Sequence, residues 1–108
     1  MTDFNDRRRA FESSYSYDSE LRFKVEARAS KLIGLWAAEQ MGLDKEAAEL
    51  YAREVVSANL EEPGFDDVKR KVQGDFTKQG VEVSDHILDV QIAEANELAK
   101  SQIMEEGV

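Results

Sequence analysis

Between Glu20 and Gly42 the stretch ELRFKVEARASKLIGLWAAEQMG leaves little choice of fold. Leu21, Val25, Ala29, Leu32 and Trp36 recur at steps of four, four, three and four, which is one stripe of an α-helix. Ile33, Leu35 and Ala37 widen that stripe until the second half of the helix is apolar around most of its circumference. Arg22, Lys24, Glu26, Arg28 and Lys31 hold the other face of the first half. Gly42 supplies a left-handed stop without a Cβ penalty. A helix of this kind belongs in the middle of a bundle, its N-terminal half projecting toward something polar. Trp36, the single tryptophan, is the largest anchor available to the core.

The rest of the chain supplies partners for it. Asp44 caps a second helix over 44–60, with Ala48, Tyr51, Ala52, Val55 and Asn59 inward and the Tyr51 hydroxyl at the edge of the core. The short connection at Gly42-Leu43 predicts that the first two helices pack antiparallel. Pro63-Gly64 breaks the chain, and Asp66-Asp67 opens a third helix that ends at Gly80 and turns Phe65, Val68, Val72 and Phe76 inward. Gly74 inside that helix costs about 1 kcal/mol relative to Ala, so it is the weakest of the set. Val81-Glu82-Val83 alternates like a strand but has no second strand to pair with, and is expected as an extended connector. Ser84 caps a fourth helix, with Val83 and Leu88 placed as a hydrophobic staple and Ile92, Ala95, Ala99 and Ile103 inward. The expected fold class is all-α: a four-helix bundle over residues 19–108 with a mobile N-terminal segment over 1–18.

That segment, MTDFNDRRRAFESSYSYD, lacks the periodic apolar density of the helices, and its serines compete for local backbone hydrogen bonds. Yet Phe4, Phe11, Tyr15 and Tyr17 are four of the nine aromatic residues, and Arg7, Arg8 and Arg9 lie among them. Aromatics and arginine are the residues of interface hot spots. A stretch too weak to fold alone but bearing anchors at helical spacing reads as one that folds on a partner, at about 2–5 kcal/mol of ordering cost. A tail, frayed or packed back on the bundle, is the other reading of the same composition.

Charge sharpens the division. The net charge is -9, yet residues 1–30 carry six acidic and six basic groups, so the whole excess lies in 31–108. An acidic protein of this kind is not built for nucleic acid, whose phosphates require surplus Lys and Arg. There is no cysteine, hence no disulfide, thiolate metal site or cysteine nucleophile. The start of the chain has no apolar signal-peptide run, and no stretch approaches the roughly 18 apolar residues of a membrane span. A cytoplasmic protein that is not membrane-inserted is expected. His86 is the single histidine, exposed by pattern, and no spacing suggests a metal site or an acid/base dyad. No catalytic residues are assigned, and no enzyme is expected.

Several motifs carry a resemblance that spans nearly the whole chain. They are Phe4 with Asp6-Arg7 and Ala10-Phe11-Glu12, Asp18, Glu20-Leu21-Arg22-Phe23-Lys24, and Gly34-Leu35-Trp36-Ala37-Ala38-Glu39. Ala52-Arg53-Glu54-Val55-Val56 and Gly80-Val81-Glu82-Val83-Ser84-Asp85-His86 continue them. The chain resembles the zeta-subunit, or ATPase inhibitor, family of bacterial (alphaproteobacterial) F-type ATP synthases. The resemblance implies a four-helix protein whose disordered N-terminal segment blocks ATP hydrolysis. The segment becomes helical as it wedges between catalytic α and β subunits near the γ shaft. Carried over, the inhibitory residues are Phe4, Asp6, Arg7, Arg8, Arg9, Ala10, Phe11 and Glu12. Asp18, Leu21, Arg22, Phe23 and Lys24 form the junction with the bundle. The implied partner is the catalytic head (α, β and γ subunits), which places the protein at the inner face of the membrane when bound. No cofactor is implied.

Two other classes compete. A nucleotide-binding or regulatory module would use Trp36 with Lys69, Arg70 and Lys71, the basic run outside the N-terminal segment, to bind ATP or ADP weakly. An adaptor of an unrelated complex would need no such site.

Overall fold

The computed structural model describes residues 15–59 and 63–106, with side chains from Glu20 onward. Four helices account for nearly all of them: α1 (Tyr15–Gln40), α2 (Lys45–Ala58), α3 (Asp66–Gln79) and α4 (Asp85–Glu105). No strand occurs among the described residues, and Val81 to Val83 is a plain connector.

The helix ends lie where local chemistry puts them. Asp44 accepts a hydrogen bond from the Ala47 amide at 2.8 Å, and Ser84 accepts one from the Ile87 amide at 3.1 Å. Gly42 closes α1 at φ 73°: its amide donates to Glu39 and that of Leu43 reaches back to Ala38, both at 3.0 Å. That doubled closure requires a left-handed residue, which is why glycine stands there. α1 itself begins at Tyr15, four residues ahead of the expected boundary at 19, so residues 15–18 of the expected unfolded segment belong to the helix. The serines that argued against a helix at its start are tolerated on its first turn, where the leading amides have no helical partner in any case.

Long-range contacts run in opposite directions along each consecutive pair. Ser30 and Gly34 of α1 meet Asn59 and Ala52 of α2. Tyr51 and Glu54 meet Asp75 and Lys71 of α3, and Lys69 and Gln73 meet Asp89 and Asp85 of α4. Arg28 of α1 meets Gln102 and Glu106 at the far end of α4. The bundle is therefore up-down-up-down, with α1 packed most extensively on α2 and α4.

The core forms around α1 from Val25 onward. Val25, Ala29, Ile33, Ala37 and Ala38 are buried with Val55, Val68, Val72, Phe76, Leu88, Ala99 and Ile103. Each buried valine, leucine or isoleucine contributes about 1.5–3 kcal/mol relative to exposure. The centre of the α1 stripe is rotated from the one expected. Ile33 is fully buried at 0 % exposure, whereas Leu21, Leu32 and Trp36 flank the core and are only partly covered. Trp36 still anchors, edge-on to Phe76 with ring centroids 5.8 Å apart. Two polar residues enter this interior as a pair: Asn59 Nδ2 donates to Ser30 Oγ at 2.9 Å.

One close approach sets the α1–α2 distance. A Cβ on Gly34 would stand 2.7 Å from the Ala52 Cα, a backbone atom that no side-chain rotation can move aside. Helices come this near only where a small residue faces another backbone.

Candidate functional site

The eight residues assigned to inhibition, Phe4, Asp6, Arg7, Arg8, Arg9, Ala10, Phe11 and Glu12, lie outside the described residues. The position from which they depart is described. Helix α1 starts at Tyr15, and Val25 is the first buried position among its described side chains. Asp18 falls within it as backbone. Beyond it Leu21 is partly buried, while Arg22, Phe23 and Lys24 are exposed, Phe23 by 56 %. The junction is a continuous helix, with the uncovered ring of Phe23 on its side.

Two polar clasps secure α1 just after the junction. Arg28 donates to Gln102 Oε1 at 2.7 Å and pairs with Glu106 at 2.8 Å, tying α1 to the last turn of α4. The hydrogen bond from Arg28 holds the Glu106 carboxyl below its ordinary range, and the same bond raises the Arg28 guanidinium. On the other side Glu26 accepts from the Gly64 amide at 3.1 Å, fastening the α2–α3 connection to α1.

Each member of the basic run carries a carboxylate. Lys69 pairs with Asp89 at 2.9 Å, Arg70 with Asp67 at 2.8 Å, and Lys71 with Asp75 at 3.1 Å and Glu54 at 3.4 Å. Lys71 also lies 5.3 Å from the centre of the Tyr51 ring, whose hydroxyl donates to Asp75 at 2.7 Å. Burial, then that hydrogen bond to a carboxylate, pushes the Tyr51 phenol well above its usual range, so it stays a neutral donor. Trp36 is not brought to this cluster. It lines a separate hollow of about 210 Å3 with Leu32, Gln91, Glu94 and Leu98. A nucleotide phosphate at 69–71 would have to displace carboxylates already in place.

His86 is exposed in the first turn of α4, and no cluster of metal-binding side chains occurs among the described residues. No described helix is long and apolar enough to cross a membrane.

Gly34, the Ser30–Asn59 pair and the Arg28–Glu106 clasp went unassigned in the sequence. Gly34 left a signal there, as an isolated glycine inside an otherwise strong helical pattern, and Asn59 did so by falling on the inward stripe of its helix.

The described helices define a small, acidic, antiparallel four-helix bundle with α1 as its longest helix. The chain belongs to the ATPase inhibitor subunit zeta family, whose profile matches residues 1–102. A structure solved by solution NMR is similar to it at 41 % identity and a TM-score of 0.69, over 80 % of this chain and 98 % of that one. No curated protein matches the chain.

Proposed function

We propose that this protein inhibits ATP hydrolysis by the F-type ATP synthase, with residues 1–18 as the effector and the bundle as its carrier. One observation carries the reading: the match to the ATPase inhibitor family begins at residue 1 and so takes in Phe4 to Glu12. The charge division supports it, since the basic residues balance the acidic ones only over 1–30.

The effector enters an open catalytic interface between an α and a β subunit, close to γ, and folds there. Phe4 and Phe11 fill apolar gaps. Arg7, Arg8 and Arg9 pair with subunit carboxylates, a contact that is strong when bidentate and desolvated. Asp6, Ala10 and Glu12 complete the inserted turns. The site cannot close around nucleotide, and rotation in the hydrolytic direction stops. The helical junction fits this role, because it joins the effector directly to the longest helix of the bundle. Bound in this way, the protein acts in the cytoplasm at the inner face of the membrane.

The test is ATP hydrolysis by the purified catalytic head, with the full chain and with a form beginning at Ser19. The full chain should inhibit and the shortened form should not. Replacing Phe4, Arg8 and Phe11 together by Ala should leave the melting curve unchanged and abolish inhibition. Failure of the full chain to inhibit at excess concentration would overturn the proposal.

A further inference from the structure

A groove opens at the end of the bundle from which residues 1–14 depart. Leu21 and Val25 of α1, Met104 and Lys100 of α4, and Phe65 just before α3 line it, enclosing about 470 Å3. Met104 is 68 % exposed there, and Leu21 and Phe65 are only partly covered. Apolar side chains from three parts of the chain thus converge on one hollow, the usual make-up of a pocket that takes an apolar group.

We infer that this groove is the resting dock of the chain's own first residues, with Phe4 as its occupant. The effector is thereby held back until a target competes for it. This regulation rests on the function proposed above for residues 1–18.

Connectivity selects the occupant. Tyr15 precedes Leu21 by six residues and Val25 by ten, about 9 and 15 Å along the helix. Fourteen residues precede Tyr15, enough to turn back and run beside α1. Ser13-Ser14 is suited to the reversal, because serine hydroxyls hydrogen-bond nearby backbone and compete with helix. Phe4 stands eleven residues before Tyr15, which is chain enough to return along α1 as far as Leu21 and Val25. The rim carries both signs of charge, Arg22 and Lys100 on one hand and on the other the Glu26 that is held in place by Gly64. The segment carries both as well, in Asp3, Asp6 and the three arginines. The apolar fit therefore sets the register, and the charges do not oppose it. A second copy of the chain could reach the groove only from solution.

The absence of cysteine allows a spin label to be placed on an Asn5→Cys variant of the full chain. Signals of Met104 and Phe65 should broaden at every protein concentration, and should recover when Phe4 is also changed to Ala. Broadening that is absent or uniform over the bundle would overturn the dock. Broadening that grows with concentration would assign the groove to a second copy and overturn it equally. Met104→Glu, at an exposed position, should keep the wild-type melting temperature and abolish the broadening. It should also lower the half-inhibitory concentration by about two- to tenfold, because the docked fraction no longer subtracts from the competent one. Unchanged or weaker inhibition would overturn the regulatory step. The relaxation experiment needs no synthase, so docking without inhibition would count against the proposed function and not against the dock.

Discussion

The two halves of α1 are one continuous helix in opposite surroundings. From Val25 to Ala38 it is gripped: Ala29, Ser30, Ile33, Ala37 and Ala38 are fully buried, and Gly34 leaves no room for even a methyl group against Ala52. Over Arg22 to Lys24 the side chains stand in solvent, and below them the helix is held by Arg28 and Glu26 through replaceable polar bonds. Close packing admits one arrangement, whereas exposed polar clasps can open and re-form at little cost.

The comparison breaks most readily at Ile33. Ile33→Ala should lower the unfolding free energy by about 2–5 kcal/mol, whereas Phe23→Ala should stay within about 0.5 kcal/mol of wild type. Urea denaturation of the pair decides it, and equal losses would mean that the two halves are not differently held. Next comes the close approach. Gly34→Ala should destabilise by about 1–3 kcal/mol, because its methyl meets the Ala52 backbone and the helices must part. A gain in melting temperature at this position would show that the crossing can relax.

The opposite sign is expected from the same substitution elsewhere. Gly74 lies inside α3 with nothing within 4 Å of its missing Cβ, so Gly74→Ala should stabilise by about 1 kcal/mol through helix propensity alone. The smallest effect belongs to the clasp. The hydrogen bond from Arg28, and then its charge, keep Glu106 below the ordinary carboxylate range. A depressed carboxylate contributes stability above its unfolded pKa, about 4.3, and loses it as pH falls through the folded value. Melting temperatures of wild type and Glu106→Gln should therefore differ slightly at neutral pH and converge in acid. Added salt should narrow the gap at neutral pH, as expected of an exposed pair. A gap that widens in acid would contradict the assignment.

Much of the fold was legible because its signals are local. Asp44, Ser84, Gly42 and Gly80 end helices through bonds to residues three to five positions away, and each lies where the spacing placed it. Tyr51 was legible too, as a ring in the core with its hydroxyl at the edge. The start of α1 was not, since serine content argues against a helix that its connection to Leu21 and Val25 sustains. Nor was the pairing of Lys69 with Asp89 or of Lys71 with Glu54, because those carboxylates arrive from other helices.

By itself the sequence determined that four helices form, roughly where each begins and ends, and that charge and aromatic content divide near residue 30. Those properties depend on neighbours within a turn or two, which the order of residues specifies directly. Only the tertiary structure decided that Ile33 and not Trp36 is at the centre, that Gly34 is the point of closest approach, and that an apolar groove lies beside Leu21. Each of these depends on which surface arrives across a gap, and that is settled by packing all four helices at once.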